Sequence, residues 1–263
     1  MLALRSGGPG NHEHADRNSV IFKAYGERLL HDPFRAAYVA KQPRWLLRQT
    51  EAHTAVLING QGHQYHNGSE GTNASWALAR VTDFRAGPGW MTVTSDATDA
   101  YQLVNDKIAR VHRTLVFLKP DVVIFLDRVA MKEATATVQV RFQMFNEDLA
   151  AKLSVSGDEF TIERPHASLH GLVASRSGAG VRAGKLPLEE ETGMYQFAEV
   201  ASPGAAEHEI LTVCTAAPAG QAHGKLRISQ QAGGWRVSGT HGGRKINVRL
   251  ASGAGGAAPA VTV

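Results

Sequence analysis

Apolar and polar residues alternate in short runs along most of this chain. "ATVQVRFQMF" sets Val138, Val140, Phe142 and Met144 on one side and Gln139, Arg141 and Gln143 on the other, the period of two that marks a strand with one buried face. "SVIFKAY" and "RLLHD" flank Gly26-Glu27 and predict a hairpin. "TAVLING" is an apolar run ending at Asn59-Gly60, a strong turn pair. "RTLVFLKPDVVIFLDRV" holds two apolar runs about Lys119-Pro120-Asp121, with Pro120 suited to the first central position of the turn. Further strands are predicted at "EFTIER", "ASLHGLV", "MYQFAEV", "EILTVCT", "KLRISQ", "WRVSG" and "KINVRL". Only "DATDAYQLVND", at 96–106, reads as a helix.

More than a dozen short strands separated by turn signals predict an all-β protein, a large antiparallel two-sheet β-sandwich. It is expected to span residues 1–250, with the small-residue ending "ASGAGGAAPAVTV", 251–263, as a flexible C-terminal tail. A length of 263 residues is enough to bury a full core. The 43% apolar and 20% charged content is that of an ordinary globular chain.

Composition narrows the function classes. The net charge of +4 is spread along the chain without blocks of like charge, so no nucleic-acid partner is indicated. No apolar stretch approaches membrane-spanning length. The single Cys214, within "ILTVCTA", reads as a buried small hydrophobe and leaves no disulfide framework. "MLALRSGG" is too short for a signal-peptide core and lacks its basic flank, so no export signal is expected in the sequence as written.

The candidate chemistry lies near the start. Six of the twelve histidines fall in the first 66 residues: His12, His14, His31, His53, His63 and His66. In "GNHEHADRN", an extended backbone would point His12, His14 and Asp16 to one face. A His-x-His pair can supply two imidazoles to one metal, or one ligand and one free base. Most such pairs in ordinary proteins are simply solvated or hydrogen-bonded. "LLHDPF" places Asp32 at the end of the strand that should pair with the one after the histidines. "EAHTAVLINGQGHQ" places His53 at the start of the next apolar strand. Two imidazoles and a carboxylate suit zinc, with water or substrate as the fourth ligand. The plainer readings stand beside this one: His53 as a strand cap, and Asp32 before Pro33 as a turn residue.

"GNHEHADRNSVIFKAYGERLLHDPF" followed by "HTAVLINGQGHQ", together with the hairpin "RTLVFLKPDVVIFLDRV", resembles the β-sandwich half of the heparinase II/III-like polysaccharide lyases. The resemblance implies His12 as a cleft histidine taking part in catalysis. It implies His14, Asp32 and His53 as ligands of a structural Zn2+, and Arg5 and Glu13 as residues of the loop that approaches substrate. "His-Thr" stands here where the family usually has "His-Asn-Thr". The implied activity is β-elimination on a uronate-containing acidic polysaccharide or oligosaccharide, in the periplasm or cell envelope. Complete members carry an α/α-toroid before the sandwich, which supplies a tyrosine acid/base, a second histidine and a carboxylate-binding asparagine. Tyr25, Tyr38, Tyr65, Tyr101 and Tyr195 match none of those toroid positions, so the chain is expected to be the sandwich part of a lyase or a sandwich with a changed role.

Two alternatives remain: a non-catalytic carbohydrate-binding or structural module, and a cupin-like sandwich that uses its metal directly. "FRAAYVAKQPRWLLRQ", 34–49, mixes Arg35, Lys41, Arg44 and Arg48 with Phe34, Tyr38 and Trp45. It reads equally as an acidic-sugar surface or as a solvated loop with a buried aromatic. The polar stretch 64–75 reads as a second cleft loop, whereas His166 and His170 have no suggestive carboxylate partner. "SGAGVRAG" lacks the ending of a phosphate loop.

Overall fold

The computed structural model describes residues 1–8, 14–63, 77–188, 193–253 and 257–263. Of these residues 57% are strand and 6% helix, and the strand pairs among them are antiparallel. The strands, β1 to β19 in chain order, form a layered sandwich. Its central sheet has eight strands in the order β10 (Lys152–Ser156), β11 (Glu159–Glu163), β12 (Ala167–Ser175), β15 (Glu207–Pro218), β8 (Val122–Met131), β7 (Ile108–Leu118), β6 (Trp90–Asp96) and β5 (Arg80–Gly87).

Two small sheets cover one face of it. One runs β1 (Leu2–Leu4), β2 (Val20–Ala24), β3 (Glu27–Leu30). The other runs β13 (Gly180–Lys185), β14 (Gln196–Ala205), β9 (Ala136–Gln143), β4 (Val56–Ile58). A bridge between Leu30 and Met144 joins them into one layer. The opposite face carries a third layer: β16 (Lys225–Gln231), β17 (Gly234–His241), β18 (Arg244–Ala251) and β19 (Ala260–Thr262).

The layering follows from β8, which is buried along its whole length. Val123, Phe125 and Val129 enter the core under β2, β4 and β9, while Val122, Ile124 and Leu126 enter a second core under β17 and β18. An unbroken apolar run is what a strand needs when water reaches neither face. Neighbouring β9 is covered on one face only, so Val138, Val140 and Phe142 are buried while Thr137 stays exposed. Each such Val, Leu, Ile or Phe contributes about 1.5–3 kcal/mol by leaving water.

Three local expectations need correction. The β2–β3 turn is Tyr25-Gly26, both at positive φ, not Gly26-Glu27. Glu27 is needed in the strand, where its carboxylate accepts from Arg164 Nε at 3.2 Å and from the His166 backbone at 3.1 Å. In the β7–β8 turn, Asp121 N donates to Leu118 O at 3.3 Å, so Pro120, after a cis bond from Lys119, is the second central residue. The chain end, expected as a loose tail, returns as β19, because Val261 finds the apolar edge of β18 opposite Leu250.

The short helix α1 (Thr98–Gln102) starts on Asp96, whose Oδ1 accepts from Thr98 N at 2.8 Å. Asp96 Oδ2 lies 3.2 Å from His112 Nε2. Burial opposes the Asp96 carboxylate, but the His112 and Thr98 hydrogen bonds outweigh it and hold the carboxyl at about 2. A carboxyl held lower when folded adds stability above its unfolded value of 3.8, and that stability is lost as the pH falls through the folded value. In urea melts at a series of pH values, the gap between wild type and Asp96→Asn is therefore expected to be present at pH 5 and to narrow from about pH 4 to 2. A gap that stays constant through that window would contradict the assignment.

Candidate functional site

Asp32 lies two residues beyond β3. His53 follows the 3-10 turns Pro43–Arg48 and Thr50–Ala52 and precedes β4. His14 sits in the loop that leads to β2. The fold brings the three together. His53 Nδ1 is 3.0 Å from Asp32 Oδ1, and the rings of His14 and His53 are 5.3 Å apart between centroids. Ser19 Oγ donates to the same Asp32 oxygen at 2.9 Å.

His53 is wholly buried, and neither of its ring nitrogens has an aligned hydrogen-bond partner. The Asp32 contact is close, but the ring N–H does not point along it. A hydrogen-bonded pair should be aligned. Two ligands of one tetrahedral zinc need not be: at about 2.0–2.1 Å from the ion they stand roughly 3.3 Å apart. Among the described residues no three His, Cys, Asp or Glu side chains are already gathered as a complete ligand set. Asp32 and His53 are in contact, and His14 stands one ring away.

The electrostatics of the pair follow from burial against mutual charge. Burial alone would raise Asp32, yet the nearby His53 charge and the Ser19 hydrogen bond bring its carboxyl below the usual value. Burial alone would lower His53, but the charges of Asp32 and then Asp16 raise it. Asp16 is itself raised, first by burial. A cation in this place would face two carboxylates and an imidazole.

Residues 15–19, the described part of the loop just before β2, make a bend and a turn rather than an extended run, and the alternation expected to set His12 on the same face falls partly outside the described residues. Ser19 N donates to Asp16 O at 2.9 Å and Asn18 has φ 64°, a turn that brings Asp16 inward and aims Ser19 at Asp32. Asp16 accepts from Arg17 Nη1 at 3.0 Å and lies 3.7 Å from Arg5 Nε. Arg5 also donates to the carbonyls of Ser6 and Gly8. Its placement is thus that of a clamp on the loop, with its side chain about a third exposed. His12 and Glu13 lie outside the described residues, as do Tyr65, His66 and the rest of 64–75.

Beneath the site is an ion pair that the sequence reading missed. Arg113 on β7 and Asp127 on β8 are essentially fully buried and doubly hydrogen-bonded, at 2.7 and 3.1 Å. Arg113 Nη1 donates to the carbonyls of Asn18, at 2.7 Å, and Thr54, at 2.6 Å. Those residues precede Ser19 and follow His53, so one guanidinium fixes both halves of the cluster. A signal was available: the two residues sit directly opposite across the hairpin that turns at Lys119-Pro120. A charged pair inside otherwise apolar strands must be paired to be buried.

The segment 61–63 is anchored similarly. The Arg17 backbone N–H donates to His63 Nε2 at 2.8 Å, His63 packs 5.1 Å from the Tyr101 ring, and its own N–H reaches Thr50 Oγ1 at 3.1 Å. A Cβ on Gly62 would overlap the Thr50 side chain, so this approach requires glycine. Tyr101 is buried and its hydroxyl donates to Val56 O at 2.6 Å, a packing role.

Around the cluster, 34–49 is a folded cap rather than an open basic surface. Arg48 is buried beneath Tyr38 and Trp45 and donates to Ala37 O at 2.8 Å, and Arg44 reaches Arg35 O at 3.0 Å. Phe34 and Tyr38 remain exposed. Phe34 packs edge-on to His31 at 4.8 Å, with Arg28 over the Phe34 and Phe145 rings. Burial, then the Arg28 charge, lowers His31 to about 4.

An antiparallel sandwich carrying a buried His/Asp cluster at the mouth of its first hairpin defines the class. Residues 1–243 match the family described as "Heparinase II/III-like, C-terminal", and the chain belongs to that family. Solved structures agree in fold. A heparan sulfate lyase, HepC, of Pedobacter heparinus superposes with a TM-score of 0.72 at 16% identity, over 95% of this chain and 39% of that one. A heparinase III gives 0.69 at 13% identity over the same shares, and another heparinase III 0.64 at 10% over 89% and 35%. The chain thus spans well under half the length of these proteins. It matches no curated protein sequence.

Removing one partner of the buried pair should be costly. Asp127→Ala leaves a buried unpaired guanidinium and is expected to lower the unfolding free energy by about 3–5 kcal/mol. Asp99→Ala, which breaks the exposed Arg80–Asp99 pair at 2.7 Å, should cost less than about 1 kcal/mol. Urea melts of both variants measure the contrast; equal small losses would show that the pair does not anchor the site.

Proposed function

We propose that this chain is the sandwich portion of a polysaccharide lyase that cleaves a uronate-containing acidic polysaccharide by β-elimination, with a structural zinc on His14, Asp32 and His53. The contact between Asp32 and His53 carries the metal reading: a fully buried imidazole nitrogen and a partly exposed carboxylate oxygen 3.0 Å apart without the alignment of a hydrogen bond. Family membership and the sandwich shared with heparan sulfate and heparin lyases support the activity. A location in the periplasm or cell envelope belongs to the same reading.

The reaction removes a C5 proton that is weakly acidic because it lies α to a carboxylate, and expels the C4 oxygen. It needs a counter-charge for the carboxylate, a base, and a proton for the leaving oxygen. Zinc bound beside the loop would supply positive charge and rigidity. His12, two residues from His14, would face the sugar and assist with charge or a proton. Arg5, already tied to Asp16 and to the Ser6 and Gly8 carbonyls, would hold the loop on which Glu13 approaches substrate. The remaining groups, a tyrosine among them, would come from an α/α-toroid, upstream or separate. The second reading is a carbohydrate-binding module without catalysis.

Metal content tests the first half. Elemental analysis should find one zinc per wild-type chain, and none in His14→Ala or Asp32→Ala. Chelation should lower the melting temperature by about 5–10 °C, as expected for a ligand held well above its dissociation constant in a domain of this size. Wild-type protein without stoichiometric metal, after zinc is supplied and excess removed, would overturn the site.

Activity tests the second half. The ultraviolet absorbance of the new C4–C5 double bond is followed on alginate, heparin-type and glucuronate polymers. The chain alone should be slow or inactive, and joining a toroid domain should restore turnover, since groups that act as a unit lose nearly everything when separated. His12→Ala should then lower the rate by about 100-fold or more. No unsaturated product from any polymer, with toroid and zinc present, would favour the binding module.

A further inference from the structure

On the opposite face of the central sheet, under the β16–β19 layer, three arginines line a cleft of about 390 Å³. Arg110 comes from β7, Arg128 from β8 and Arg176 from the residues after β12, while Gly233, Ser252 and Gly253 form the far wall. Strand parity places them there. Asp127 faces Arg113 on the metal-site side, so the next residue, Arg128, points the other way, with Ile124 and Leu126.

Arg128 is 5% exposed, yet among the described residues no carboxylate pairs with it. Its Nη2 donates to Ala257 O at 2.8 Å, and its Nε has no hydrogen-bond partner; nor does Nε of Arg110. The carboxylates of the cleft are Glu207 and Glu209. Glu209 accepts from Arg176 Nε and from Ser252 Oγ, the latter at 3.2 Å. Glu207, 3.9 Å from Arg110, is largely in solvent. His208 in the wall is satisfied by Ser202 Oγ at 3.0 Å and Ala136 O at 2.9 Å. Burial and then the Arg110 charge work against the Arg128 cation, and the Glu209 charge, opposite it across the β8–β15 pair, works for it. A buried guanidinium whose donors are not all used is costly. Its planar fork matches the oxygens of a carboxylate or sulfate.

We propose that this cleft is an oxyanion-binding site, taking one carboxylate or sulfate group between Arg110 and Arg128, separate from the His14, Asp32 and His53 cluster. The site does not depend on the lyase reading, and its test uses neither zinc nor catalysis.

The full chain is titrated calorimetrically with sodium sulfate and, separately, sodium glucuronate, at ionic strength held constant with sodium chloride. One saturable site is expected for at least one of them. Binding should weaken about tenfold or more in Arg128→Gln, the loss of a charged hydrogen bond, and also in Arg110→Gln, and should be unchanged in Arg80→Gln on the far edge strand. Sulfate alone assigns a sulfate group, glucuronate alone a sugar carboxylate, and either supports the site. Arg110, partly exposed, keeps the test open if Arg128→Gln does not fold. The proposal is overturned if neither anion saturates the protein by about 10 mM, or if both cleft variants bind as wild type.

Discussion

The buried pair of Arg113 and Asp127 is the constraint on which the candidate site depends. An ion pair far from water repays its desolvation only if nearly every donor and acceptor is used. Here Nε and Nη2 go to the carboxylate, and Nη1 goes to the carbonyls of Asn18 and Thr54. These carbonyls belong to loops, not to strands of the central sheet. The guanidinium therefore does for the two loops what a ladder of backbone bonds does for a strand. It fixes the backbone beside Ser19 and His53 to a rigid hairpin. A site needs ligands held to a fraction of an ångström, and supporting contacts of this kind provide it.

The two cores explain why the support can be rigid. The β7–β8 hairpin is covered on both faces, by Val20, Phe22 and Val140 on one side and by Trp235, Val237 and Val248 on the other. Packed at interior density, it cannot shift without disturbing both layers. Loops tied to it inherit that immobility. Loops tied to an edge, such as β5 with its exposed Val81 and Phe84, would not.

Much of this was legible in the sequence, and the gaps have physical causes. Period-two alternation located β9, and the apolar runs about Lys119-Pro120 located the β7–β8 hairpin, although a two-sheet sandwich without the third layer on the far side of β8 was expected. Asp32 and His53 were legible because their residue types and flanking strands are local features. Ser19 and Arg113 were not, since their partners lie 13 and 14 residues away or more and only a fixed register brings them together. The turn errors at Gly26 and Pro120 arose because tertiary demand, a buried Glu27 and an Asp121 amide turned back to Leu118, overrides the usual preference of a dipeptide. The basic stretch 34–49, which its composition left open between two readings, was ambiguous for the opposite reason. Arg48 and Trp45 carry the composition of a binding surface, but cation–aromatic stacking works equally well inside a fold.

Asp127 and Arg128 are consecutive residues that face opposite sides of one strand, and they differ in one respect. The first makes two aligned hydrogen bonds to its partner Arg113, whereas the second makes no such pair among the described residues and keeps an unpartnered Nε. The same contrast separates His63, which accepts from Arg17 N, from His53, whose nitrogens have no aligned partner. Folding favours satisfied polar groups, and unsatisfied ones persist where something else selects for them. His53 and Arg128 are two of several buried groups with an unpartnered polar atom, His31 and Gln143 among the others. What sets these two apart is the charged ligand proposed beside each, a cation at Asp32 and His53 and an anion at Arg110 and Arg128. In both proposals it is an incomplete internal satisfaction, rather than a sequence motif alone, that singles out the place.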